Sequence, residues 1–163
     1  MHRLASVTSG ALLTLAMGSA VAQDHVQLTR YFDGNRLVFC FSVPMSRVVR
    51  LPRWNGKDNP PISRERATEV GVGQLRGEYP KIERFELQRE ELNRVAIDYT
   101  KFRGDVWYYL IEYAAIVDGE RRYDSTKYVA TVLLDGSSVP KQTEGCAKSF
   151  SEATPNPAFE SGR

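Results

Sequence analysis

The chain has 163 residues, enough for one ordinary domain, with 42% hydrophobic and 26% charged side chains. Its 22 basic and 20 acidic side chains leave a net charge of +2. So small a balance supplies no global field for nucleic acid or a membrane surface, and no apolar run beyond the first residues is long enough to span a bilayer.

Residues 1–22 read as a secretory signal peptide. His2 and Arg3 form a basic start, Ala11–Met17 an apolar centre, and Ala20 and Ala22 the small residues before a cut at Gln23. The mature chain is therefore expected in the periplasm or outside the cell, where disulfides persist. Residues 23–150 are expected to form a single domain. Residues 151–163, rich in Pro, Ser and Glu, are expected to be a disordered tail.

Gln23–Asn35 is polar and reads as a loosely held lead-in. Arg36–Val43 reads as a strand, with Leu37, Phe39, Phe41 and Val43 on one face by alternation. Pro44, Pro52, Pro60 and Pro61, with Asn55-Gly56 between them, give residues 44–61 the chemistry of a loop. Ser63 then suits an N-cap, with Glu65 in the first turn at the positive end of the dipole. Ala67, Val70, Gly71, Leu75 and Tyr79 recur at helical spacing, and Gly77 and Pro80 end the helix.

Ile82–Arg89 reads as a strand, and Glu90-Glu91 as its charged end or a turn. Val106–Val117 is the strongest strand, long, aromatic and β-branched. Alternation sets Trp107, Tyr109, Ile111, Tyr113 and Ala115 on one face and Tyr108, Leu110 and Glu112 on the other. The first face is expected under the helix, the second free for a ligand or partner. Asp118-Gly119 starts a turn, and the charges up to Asp124 suggest a loop longer than two residues. Lys127–Leu134 returns as a strand that ends at Asp135-Gly136.

This order predicts an α+β fold, one helix packed on an antiparallel sheet of about four strands. Ser63-Arg64-Glu65-Arg66-Ala67, Tyr79-Pro80, Phe85-Glu86-Leu87, Val106-Trp107-Tyr108-Tyr109 and Val132–Gly136 together resemble the small bacterial exported domains of cystatin-like or PepSY-like build. That resemblance implies a cystatin-like fold and a binding role, without a named partner. The inhibitory Gln-x-Val-x-Gly loop of cystatins is absent. Val70–Gln74 holds the same residue types in another order and on the helix, so cysteine-protease inhibition is not expected.

Cys40 and Cys146 lie near opposite ends of the domain, and in an oxidising compartment one bridge is the expectation. They lack the C-x-x-C spacing of a redox or metal pair.

Chemistry is scarce. The mature chain holds one histidine, His25, close to its new start, which leaves no imidazole for a nucleophile-activating device or a zinc site. No metal site and no cofactor is expected. Gly71-Val72-Gly73 lacks the third glycine of a phosphate-binding loop and sits within a helix, where it suits close packing. A pair of carboxylates needs no histidine, and Glu112, with Asp98 and Asp105 in the preceding connection, is the best candidate for such a hydrolase.

Arg47, Arg50 and Arg53 recur at every third position before Trp54. Trp and Arg dominate binding hot spots, so this loop is a candidate partner contact, with Tyr108 and Glu112 as a second one. The expected function is a non-catalytic binding protein of the cell envelope. An inhibitor or immunity-type antagonist of another envelope protein is its concrete form. A small-ligand carrier and a carboxylate hydrolase are the alternatives.

Overall fold

The computed structural model describes residues 25–99, 102–144 and 146. The expected signal peptide and C-terminal tail lie outside the described residues. The described chain is α+β and dominated by antiparallel sheet.

The first element corrects the expectation of a loose lead-in. His25–Asp33 is strand β1, and it pairs antiparallel with β2, Arg36–Pro44. A two-residue turn, with Gly34 at φ +57°, joins them. Gln27, Thr29 and Arg30 hide the signal of Val26, Leu28 and Tyr31, whose strand character depends on a surface to bury them. A single helical turn, α1 (Met45–Val48), follows Pro44.

Helix α2, Arg64–Glu78, begins and ends as the sequence predicts. The Ser63 hydroxyl accepts from Arg66 N at 3.2 Å, and Tyr79 N donates to Leu75 O at 2.7 Å ahead of Pro80. Strands β3 (Arg84–Tyr99) and β4 (Phe102–Val117) then form one long hairpin. Glu90-Glu91 therefore lies inside β3. An edge strand tolerates charged residues because one side of it meets water.

Asp118 at φ +53° and Gly119 at φ +75° make a two-residue turn into β5, Glu120–Tyr123, in place of the expected longer loop. Two successive left-handed residues match the right-handed twist of the flanking strands. β6 (Val129–Leu133) pairs with the centre of β4, and β7 (Ser138–Val139) with β6. The main sheet runs β3-β4-β6-β7, with β5 also beside β4.

Both faces of this sheet are covered. On one lies α2, with Ala67, Leu75, Phe85, Tyr109, Tyr113 and Val132 in a common core. On the other lies the β1–β2 hairpin, with Leu28, Phe41, Val43, Val106, Tyr108 and Leu133. Burial on both sides is why β6 is buried at every position.

Tyrosines of β4 fasten the two covering layers. Tyr109 and Tyr113 donate to the carbonyls of Ile62 and Thr68 at 3.2 and 2.8 Å, while Tyr108 donates the other way, to Leu28 O at 2.8 Å. Each ring supplies apolar area and each hydroxyl finds a backbone acceptor, that of Tyr108 fully buried. Burial raises the Tyr113 phenol and pushes Tyr108 up to about 12.

The C-terminal segment closes the hairpin layer. Cys40 and Gln142 exchange two backbone hydrogen bonds of 2.9 Å, and Cys40 is bridged to Cys146 at a Cα separation of 5.9 Å. Beside them Lys141 donates to Glu78 at 3.1 Å and to Lys127 O at 2.5 Å, over the rings of Phe39 and Tyr79. Among the described residues, no helix is long and apolar enough to cross a membrane.

Candidate functional site

Three prolines and Asn55-Gly56 keep residues 49–62 out of regular structure, yet specific contacts hold this loop in place. Val48 of α1 is buried in the hairpin-side core. Arg47 donates to the Ser137 hydroxyl and lies 3.9 Å from Asp135, on the turn after β6. Trp54 meets Trp107 of β4 edge to face, with ring centroids 4.8 Å apart, and its Nε1 donates to Asp58 O at 3.1 Å.

Gly56 sits at φ +79° because the loop turns sharply over Trp107, where a Cβ would lie 3.0 Å from the indole. The Asn55 side chain accepts from Lys57 N at 2.8 Å and fixes the same turn. Arg53 places its guanidinium 5.2 Å from the centroid of Phe102. Arg50 donates to Ser46 O at 3.1 Å. An open groove of about 340 Å³ remains between Arg53, Trp54, Asn55 and Asp58.

Charge is unevenly spent here. Arg47 faces Asp135, but among the described residues Arg50, Arg53 and Lys57 have no carboxylate partner within 4.0 Å. The loop thus offers three unneutralised cations, a half-buried indole, and one carboxylate, Asp58.

The second candidate surface is closed. Tyr108 is 5% exposed and Glu112 9%, because the β1–β2 hairpin lies on the face expected to be free. Glu112 accepts from the hydroxyl of Tyr123, which is 53% exposed on β5. This bond to the neutral phenol raises the Tyr123 pKa, and desolvation adds to it. Burial, and then the Glu112 charge, raise Tyr31 as well, and its hydroxyl is buried without a partner among the described residues.

The carboxylates do not assemble into an acid–base pair. Asp98 and Asp105 are ion-paired with Arg103 and Arg94 at 2.6 and 3.5 Å, on the far part of the β3–β4 hairpin. Seven positions of strand separate Asp105 from Glu112, roughly 23 Å at the usual rise, and odd and even positions face opposite ways. Glu90, raised by desolvation and 3.7 Å from Arg64, lies on the helix face. A glycosidase pair needs carboxylates about 5–9.5 Å apart on one cleft. Among the described residues no cluster of His, Cys, Asp and Glu has the makings of a metal site.

The structure thus brings Arg53 and Trp54 to one groove, leaves Arg50 bonded to Ser46 outside its lining, and buries Tyr108 and Glu112. Sequence reasoning missed Trp107 as the support on which Trp54 and Gly56 pack, and Asn55 and Asp58 as lining of the groove. Asn55-Gly56 directly after Trp54 was the available signal for a turn that folds the indole back. No family model, no curated protein and no solved structure matches this chain.

Proposed function

We propose that this chain is an exported, non-catalytic binding protein of the cell envelope, which engages another protein through Arg50, Arg53 and Trp54. An inhibitor or immunity-type antagonist is the form this takes. The observation that carries it is the packing of Trp54 and Gly56 on Trp107. A loop packed on a half-buried indole of the sheet keeps its own indole and guanidinium side chains ordered before binding, which reduces the entropy cost of association. Trp and Arg in such a setting are the usual anchors of an interface.

The secretory pattern of residues 1–22 and the Cys40–Cys146 bridge support a periplasmic or secreted location. Helix α2 on one face of an antiparallel sheet supports the cystatin-like or PepSY-like build. The separation of Asp105, Glu90 and Glu112 weighs against the carboxylate hydrolase.

The test is affinity capture from envelope extract with the oxidised protein as bait, read by mass spectrometry. One stoichiometric protein, lost on Trp54→Ala and kept on Glu112→Gln, is the expected result. Capture that is indifferent to Trp54 would overturn the assignment of the surface.

A further inference from the structure

We propose that the Arg53–Asp58 groove takes an acidic, extended segment of the partner, with a carboxylate on Arg53 and an adjacent apolar side chain on Trp54. This inference rests on the binding role proposed above and adds the chemistry of what is bound.

The charge pattern selects the ligand. Elsewhere on the described surface Arg64, Arg66, Arg84, Arg89, Arg94, Arg103, Arg121 and Arg122 each stand within 4.0 Å of a carboxylate. Arg50, Arg53 and Lys57 do not, nor do Arg36, Arg76, Lys81 and Lys127, but only the first three share one short loop. A guanidinium without a counter-charge, next to an aromatic ring, is ready for bidentate pairing with a carboxylate. Its position over Phe102 leaves the N–H fork free of other acceptors among the described residues.

The groove also has a polar rim for a main chain. The Asn55 carbonyl oxygen is occupied by Lys57 N, which leaves its amide N–H groups for a carbonyl. The Trp54 indole holds Asp58 through its backbone oxygen, so the Asp58 carboxylate remains for an N–H. Donor and acceptor on one rim suit an extended peptide. Three cations interrupted by a carboxylate fall short of the basic stripe that a nucleic acid requires.

The test is selection from a random linear peptide library displayed on phage, with the oxidised wild-type protein as target. Peptides enriched in Asp and Glu beside apolar residues are the expected outcome. A synthetic copy of one should bind at least about tenfold more weakly to Arg53→Glu, and more weakly in about 0.5 M salt than in 0.05 M. Arg50→Glu, which leaves the Arg53–Phe102 contact in place, should weaken it in the same direction. Tryptophan fluorescence of each variant reports whether the loop is still folded on Trp107.

Enrichment of neutral or basic peptides, binding unchanged in both charge reversals, or no enrichment at all would overturn the acidic segment. If affinity capture still returns a partner sensitive to Trp54, the binding role stands and only the ligand class fails. If capture also returns none, both fail.

Discussion

Gly71 of α2 faces the hydroxyl of Tyr113 on β4, so closely that a Cβ added at Gly71 would lie 2.5 Å from the phenolic oxygen. The same hydroxyl donates to Thr68 O at 2.8 Å, three positions earlier in the helix. The glycine lets the helix come down onto the ring, and the hydrogen bond holds it there. Gly73 and Gly77 have nothing within 4 Å of the corresponding position.

Gly71→Ala and Gly73→Ala should therefore differ in sign. At Gly73 the alanine gains helix propensity, and stability should rise by up to about 1 kcal/mol. At Gly71 the buried phenol has nowhere to move without losing its acceptor, and overpacking should cost about 1–3 kcal/mol net. Urea unfolding of the two variants checks this, with the midpoint read against an unchanged slope.

The Cys40–Cys146 bridge closes a separation of 106 residues and joins the hairpin layer to the C-terminal segment. Cys40→Ala/Cys146→Ala should lose about 4–5 kcal/mol by the chain-entropy argument. The loss should equal that of the wild type under reductant, because Cys40 is fully buried and no other cysteine is present to exchange. A thiol assay on denatured, unreduced protein should find no free thiol.

Stability should fall at high pH. The phenols of Tyr31, Tyr108 and Tyr113 are all raised above the usual 10.0 by burial, Tyr108 to about 12. A raised acid is protonated in the folded chain while the unfolded chain already ionises. Its contribution is complete below the unfolded value and is lost as pH climbs through the folded value. Lys141, lowered chiefly by desolvation, works in the opposite direction and recovers stability as pH rises towards 10.5. The three tyrosines outnumber it, so unfolding should set in above about pH 10. Tyr108→Phe should cost about 1 kcal/mol at pH 7 through the lost bond to Leu28 O. It should also make the decline above pH 10 shallower, as read by denaturant titrations from pH 8 to 11.

Gly56→Ala tests the preformed loop without touching a proposed contact. A left-handed φ costs a residue with a Cβ about 1–2 kcal/mol, and Trp107 blocks the added atom here. Global stability should fall by that amount or less, since the loop can detach. Partner capture should weaken more than stability does, and Trp107 emission should shift to the red as water reaches the indole. Unchanged emission would mean that the loop keeps its place by other contacts.

Helix α2 was legible because Ser63, Glu65 and Pro80 act within a few residues of themselves. β4 was legible because its apolar residues alternate over many positions. β1 was not, since Gln27, Thr29 and Arg30 sit among its apolar residues and a strand so marked forms only against a partner. The long β3 was missed for the related reason that Glu90–Arg94 is charged, which an edge tolerates. At the site, Arg50, Arg53 and Trp54 were identifiable by residue type, but their separation from Glu112 and Tyr108 was not.

The sequence by itself determined the helix and its ends, the dominant strand and its two faces, the cysteines available for one bridge, and the scarcity of histidine. These follow from local backbone preference and from composition, which neighbours along the chain suffice to set. Only the tertiary structure decided what covers each face. Both faces of β4 are apolar enough to bury, so periodicity distinguishes them without saying what covers them. Leu28 O above Tyr108 closes one face, and Trp54 packs on Trp107 at the other. Both contacts join residues more than fifty positions apart in the chain, where the choice rests on how whole layers pack.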